Sequence, residues 1–285
     1  MNAPAAGAWA ETWGRVRASA PARFALIALA VIMLLCIAGP WFTPYAFDFL
    51  DFDAVSMPPS LAGAHLFGTD NVGRDLFVRT LVGGRISLLV GVVATLVSLI
   101  IGVAWGAVAG YFGGRVDQVL MRIVDILYAL PFMFLVILLM VLFGRHLVLI
   151  FVAVGAINWL DMARIVRGQT LALKAREFVQ AARLAGLRDL DIIRRHIVPN
   201  LLGVVAVYVT LTIPQVILTE SFLSFLGLGV QEPATSWGAL VNDGAAIMET
   251  APWALVFPGV FLAFTLFCFN FLGDALRDAL DPKDR

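Results

Sequence analysis

The sequence predicts an all-α integral membrane protein, and three observations carry that expectation. Of 285 residues, 61% are hydrophobic and only 14% charged, with a mean hydropathy of +0.91; soluble domains carry about a quarter charged residues. Long stretches without Asp, Glu, Lys or Arg recur along the chain, and a hydrocarbon core about 30 Å thick is crossed by ~20 helical residues. The bases are also unevenly shared among the joining segments, which is what orients membrane helices.

Five uncharged stretches are long enough to span: residues 24–47, 86–114, 126–144, 196–219 and 250–273. A sixth, 147–160, reaches only ~21 Å at the helical rise. It borrows its ends from Arg145, His146 and Asp161, which can snorkel to the headgroups, or else it is a buried or re-entrant segment. Six transmembrane helices are therefore expected.

Arg15, Arg17 and Arg23 precede the first run in the order of a signal peptide. That run is too long, and Ala38-Gly39-Pro40-Trp41 is a poor cleavage site, so the first span is read as uncleaved behind a mobile tail, 1–23. Pro44, Pro58 and Pro59 predict irregular backbone in the segment 43–84, with a short amphipathic helix over 70–81.

With six spans and a cytoplasmic N-terminus, only Arg74, Arg79, Arg85 and Arg145 lie outside, and the other sixteen bases face the cytoplasm. Both termini are then cytoplasmic. Gly102, Gly106 and Gly110, with Gly91 nearby, place small residues along one helix face for close helix packing. Cys36 and Cys268 sit inside apolar runs and are read as small buried hydrophobes rather than a disulfide.

Several chemistries lack their residues. Neither Lys174 nor Lys283 follows a glycine, so there is no Walker A loop to cradle ATP. His65, His146 and His196 have no paired metal-ligand spacing, and neither a metal nor another cofactor is expected. No GxSxG elbow occurs, so no catalytic residue is assigned. Asp125, Asp161, Glu220 and Asp274 fall at the ends of uncharged runs and are given boundary roles; span centres empty of charge argue against an ion path. Gly227-Leu228-Gly229 follows no strand and is a weak dinucleotide signal.

Internal charge concentrates between Asp161 and Asn200, which is too long for a simple turn. Residues 175–185 have helical composition, with Phe178, Ala182 and Ala185 on one side and Arg176 and Arg183 on the other. Gly186 interrupts them. Asp189 or Asp191 seeds a second helix carrying Ile192, Ile193 and Ile197, which Pro199 is expected to end. Such a helix–turn–helix either receives a partner or lies on the lipid surface.

This segment resembles the EAA loop of ABC-importer permeases: Glu-Ala-Ala, three residues, Gly, nine residues, then Ile-x-Leu-Pro. Here the pattern is Gln180-Ala181-Ala182, Gly186 and His196-Ile197-Val198-Pro199. Further segments resemble the C-type permease subunit of dipeptide, oligopeptide and nickel importers. They are Phe67-Gly68-Thr69-Asp70, Gly73-Arg74-Asp75 and Gly84-Arg85-Ile86-Ser87-Leu88; then Glu220 to Gly229 with Pro233 and Ser236-Trp237-Gly238; and Arg277-Asp278-Ala279-Leu280-Asp281-Pro282.

The resemblance implies the type I permease fold, with a coupling helix between spans four and five. It implies a permease domain over 83–276 (EAA loop about 175–199), preceded by a first helix and external segment, 24–82, and followed by a cytoplasmic tail, 277–285. It also implies that Gln180, Ala181, Ala182, Arg183, Leu184, Ala185 and Gly186 engage an ATPase. The chain would be a non-enzymatic half-pore in a bacterial inner membrane. Its implied partners are a sister permease, two cytoplasmic ATPases that hydrolyse the ATP, an extracytoplasmic substrate-binding protein and membrane lipid, with no nucleic acid. Peptides are the implied cargo, nickel chelates or glutathione-like solutes the alternative. A self-sufficient channel or secondary transporter is the rival class, and an intramembrane hydrolase a more distant one.

Overall fold

The computed structural model describes residues 5–60, 65–144 and 147–280; Arg145, His146, Asp281, Pro282 and Lys283 lie outside that description. Among the described residues there are no strands, only an isolated antiparallel bridge between Thr69 and Asp75. Four helical stretches are long and apolar enough to cross a membrane: Ala20–Phe42, Leu76–Phe112, Asp189–Phe225 and Trp253–Leu280. A bent helix pair makes a fifth if it is counted as one span.

The N-terminal segment is helical, not a mobile tail. Helix α1 (Ala5–Ala18) buries Val16 against Leu276 and Ala279 near the end of the last helix. Ser19, with ψ 120°, breaks the chain before α2 (Ala20–Ala38), where Pro21 fits the first turn because its missing N–H has no helical acceptor. α2 stops short of the expected residue 47, since Pro40 cannot donate to the ladder and the chain tightens into a 3₁₀ turn, Gly39–Phe42.

The segment up to residue 75 is irregular, as its prolines indicate. The helix expected at 70–81 is not separate: α3 (Leu76–Phe112) starts at Leu76 and runs on for 37 residues. Asp75 caps it, accepting from the Val78 N–H at 2.8 Å. Arg79 and Arg85 thus lie inside the helix, beyond the reach of a reading that ends spans at charges. The structure accommodates both. Arg79 is 1% exposed and donates to the Phe47 carbonyl, while Arg85 donates to the Cys36 and Ile37 carbonyls at the end of α2.

After Gly113 come α4 (Gly114–Ala129) and α5 (Phe132–Phe143), bent by 85° between Gly114–Ala129 and Phe134–Phe143. The expected straight span over 126–144 is therefore broken. Pro131 forces Leu130 into extended backbone (ψ 129°), ending one helix and starting the next.

α6 (Leu147–Lys174) continues well past Asp161, which stands at mid-helix rather than at a span end. The three-glycine face of α3 lies against it. A Cβ at Gly102 would meet Met162, one at Gly106 would sit 2.8 Å from Val166 Cβ and 2.9 Å from Arg167 N, and one at Gly110 would sit 2.8 Å from the Arg167 carbonyl. Gly91 meets Ile217 and Ile213 instead, so α3 is packed between two helices.

α7 (Glu177–Leu184) and α8 (Asp189–Ile192) flank the Gly186 turn. Pro199 does not end the second helix. A π-turn, Ile193–Ile197, intervenes, and α9 (Val198–Phe225) continues straight through Pro199. The widened turn carries the chain past a residue with no N–H, with Val198 donating five residues back to Ile193. α10 (Trp237–Ala246) and α11 (Trp253–Leu280) complete the chain. Cys36 and Cys268 are free and buried, matching their reading as core residues.

Candidate functional site

Two polar assemblies stand out from this apolar bundle, one at each end of α3. At the start of α3, the separated sequence blocks 67–88 and 220–238 come together. Ser87 donates to Glu220 Oε2 (3.1 Å) and accepts from the Trp237 N–H (3.1 Å). Ser224 donates to Glu220 Oε1 (2.7 Å), and Ser236, the cap of α10, donates to Ser224 (3.2 Å). Glu220 is fully buried, so it is a packed junction residue and not the boundary acid its sequence position implied. Trp237 is also fully buried, and its indole donates to the Thr80 carbonyl at 2.9 Å.

Alongside, Arg74 bridges Asp70 and Glu232, each at 2.6 Å. Burial by itself would lower the Arg74 pKa, but hydrogen bonds to Glu232 and Asp70 outweigh it and push it up. His65 Nδ1 lies 2.8 Å from Asp75 Oδ2 and its ring stacks on Tyr45. Among the described residues no His, Cys, Asp and Glu group could hold a metal ion. The serines and the tryptophan clamp α3, α9 and α10 together, with the Arg74 ion pairs tying the segments ahead of α3 and α10.

At the other end of α3 lies the helix–turn–helix. Its geometry divides the seven candidate residues into three groups. Ala182 faces inward with Val179, in a core with Tyr111, Met162, Ile192 and Ile197. That buried face is displaced from the expected Phe178, Ala182 and Ala185: Phe178 is 39% exposed and Ala185 is exposed. The helix ends at Leu184, leaving Ala185 as its C-cap, and packing on the core turns Val179 rather than Phe178 inward beside Ala182.

Two polar members turn back onto the chain. Gln180 Nε2 donates to the Lys174 carbonyl (3.0 Å), and Arg183 Nε donates to the Tyr111 hydroxyl (3.2 Å). The remainder point away. Ala181 and Ala185 are exposed, Leu184 is 90% exposed, and Leu190 beyond the turn is 64% exposed. Gly186 adopts φ +75°, a conformation that L side chains rarely adopt, and nothing lies within 4 Å of the place a Cβ would occupy. Arg176, Arg188, Arg194 and Arg195 of this segment are exposed, as are Glu177 and Asp189.

The turn thus presents small residues with exposed Leu184 and Leu190 on either side of Gly186. Tyr111, in the core beneath it, was not indicated by any local pattern; its only sequence signal is a hydroxyl at the very end of an apolar run. Nearby, a cavity of about 580 Å³ opens between α6, α9 and α11, lined in part by Asn200, Tyr208 and Arg277.

The described residues thus form an all-helical chain with apolar spans and one exposed helix–turn–helix. The family described as binding-protein-dependent transport system inner membrane component matches residues 102–285, and the chain belongs to that family. The N-terminal transmembrane domain of oligopeptide transport permease C matches residues 7–59, so the C-type resemblance holds at both ends.

The chain is 56% identical over 277 residues to an oligopeptide transport system permease protein of Haemophilus influenzae, covering 97% of this chain and 89% of that one. It is 55% identical to that of Escherichia coli, covering 97% and 92%. A dipeptide transport system permease protein of Bacillus subtilis is 46% identical, covering 96% and 86%.

Proposed function

We propose that this chain is one permease subunit of an ATP-driven importer of oligopeptides. In this reading it forms half of the translocation pore with a sister permease, receives cargo from an extracytoplasmic binding protein, and is driven by two cytoplasmic ATPases that carry out the hydrolysis. The observation that carries the reading is the turn between α7 and α8. Its exposed Leu184, small neighbours and positive-φ Gly186 protrude from the bundle, with nothing among the described residues to cover them. The oligopeptide assignment rests on identities of 54–56% to oligopeptide permeases of three Gram-negative organisms, against 41% to a glutathione permease of Escherichia coli.

In this proposal the chain crosses the inner membrane six times, through α2, α3, the bent α4–α5 pair, α6, α9 and α11, with both termini cytoplasmic. α5 alone would reach only ~18 Å, so the third crossing needs α4 as well. Residues 180–186 form the coupling element, with Ala181, Leu184 and Ala185 against the ATPase, Gly186 setting the turn, and Gln180, Ala182 and Arg183 holding the helix in place. The permease domain then occupies 83–276, behind 1–23 and 24–82 and ahead of 277–285.

The test is affinity purification of the tagged chain from mild-detergent membranes, beside a variant lacking residues 180–186, with partners identified by mass spectrometry. An ATPase and a second permease should accompany the intact chain, and the ATPase should be lost from the deletion. A chain that purifies alone would favour the channel or carrier class.

A further inference from the structure

The ring of Tyr111, on α3, is where residues of α6, α7 and α8 meet. It belongs to the last turn of α3 and is fully buried. Its hydroxyl donates to Asp189 Oδ1 at 2.6 Å and accepts from Arg183 Nε at 3.2 Å. The Arg183 guanidinium carbon lies 4.8 Å from the ring centroid, and Lys174 Nζ, at the end of α6, lies 5.8 Å from it. Asp189 opens α8 and Arg183 closes α7, so one phenol ties both sides of the Gly186 turn to α3.

This connection is not dictated by chain continuity. α7 is joined covalently to α6, and α8 leads into α9, but α3 is bound to the turn only through side chains. α3 is also seated in α6 along Gly102, Gly106 and Gly110, where backbones approach too closely for one helix to slide past the other. A push on the turn therefore reaches α6 and α9 through the backbone. It reaches α3 at two places, along its glycine seat on α6 and, next to the turn itself, through the Tyr111 contacts and the apolar core beneath them.

Resting on the docking function proposed above, we propose that Tyr111 is a positioning residue for transport. Its hydroxyl, shared by Asp189 and Arg183, transmits movement of the α7–α8 turn into α3. The apolar core that Tyr111 shares with Val179, Ala182 and Ile192 holds the turn in place. The hydroxyl sets its angle, because a hydrogen bond at 2.6 Å is directional and apolar packing is not. Losing it leaves the turn attached and able to bind a partner, but with slack between partner and α3. Arg183, one of the seven coupling candidates, then acts inward on Tyr111.

The experiment uses the complete complex, permease pair and ATPases together, reconstituted in proteoliposomes with the binding protein and a radiolabelled pentapeptide. Peptide taken up per ATP hydrolysed is measured. Tyr111→Phe should keep the ATPase bound, keep the melting temperature and keep ATP hydrolysis near wild type, while uptake per ATP falls about 5- to 10-fold, the lower end of measured coupling between distant sites. Asp189→Ala removes one of the two bonds that Tyr111→Phe removes, so its uptake per ATP should fall in the same direction but by less, and the double variant should be no worse than Tyr111→Phe alone. Asp189→Asn, whose carbonyl oxygen still accepts, should restore most of the ratio.

Unchanged uptake per ATP in Tyr111→Phe would overturn the proposal. So would a fall in uptake matched by equal loss of ATPase binding or folded complex, which would make the residue merely structural. Failure of the wild-type complex to import peptide with ATP would instead count against the parent function.

Discussion

Leu184 carries a prediction that separates docking from folding. Its side chain is 90% exposed and absent from the buried core clusters, so removing it costs the isolated chain almost nothing. If the turn enters a cleft on an ATPase, the same side chain becomes buried there. Leu184→Ala removes three carbons, worth about 2.4 kcal/mol at ~0.8 kcal/mol for each buried CH₂. At ~1.4 kcal/mol for each tenfold, that weakens ATPase binding about fifty-fold. The assay is binding of the purified ATPase to the permease pair held in detergent or nanodiscs, by biolayer interferometry, with melting of the permease pair followed in parallel. The expected pattern is a large loss of affinity with an unchanged melting temperature. Affinity within two-fold of wild type would refute the assignment of Leu184 to the docking face. An equal fall in melting temperature would show that the leucine is packed within the permease pair.

Three further outcomes follow from the packing. Gly106→Val should destabilise by about 1–3 kcal/mol or more in detergent melts, since its side chain would overlap the Ala163 carbonyl and Val166, whereas Gly168→Ala on α6, with open space around it, should stabilise by up to about 1 kcal/mol. Gly186→Ala should cost about 1–2 kcal/mol from its positive φ alone, while Gly186→Trp should still insert in the membrane but abolish uptake, because the isolated chain has room there and a docked complex does not; normal transport by the Trp variant would refute the assignment. Ser87→Ala should lower stability by about 1–3 kcal/mol, since it removes one hydrogen bond each from Glu220 and the Trp237 N–H, and a denaturation midpoint equal to wild type would remove Ser87 from the clamp.

Much of the architecture was legible because bilayer crossing and close helix contact impose simple rules on a sequence. Uncharged runs locate helices, since a charge in hydrocarbon is expensive. The spacing of Gly102, Gly106 and Gly110 marks a face for close approach, and α6 lies against it. The turn at Gly186 was equally legible, because a helical run interrupted by a lone glycine leaves few other conformations.

Helix ends were less so, and each error has the same origin. A run ends at its first charge, but a helix ends where its hydrogen bonds fail. α3 carries Arg79 and Arg85 because the segment ahead of it and the end of α2 supply their partners. α6 runs through Asp161, and Glu220 is buried because Ser224 on its own helix and Ser87 from α3 donate to its two oxygens. Pro131 breaks a helix pair while Pro199 is passed by a π-turn. Nothing in the residues next to either proline distinguishes the two cases.

By itself the sequence determined the class of molecule, the rough place of its apolar runs, and the small-residue turn at Gly186. These are local properties, written in composition and spacing. Only the tertiary structure decided which face of α7 is free, that Arg183 turns inward, and that Tyr111 and Asp189, 78 positions apart in the chain, share one hydrogen bond. Those outcomes depend on how helices rotate against one another, and rotation is set by the packing of all of them at once.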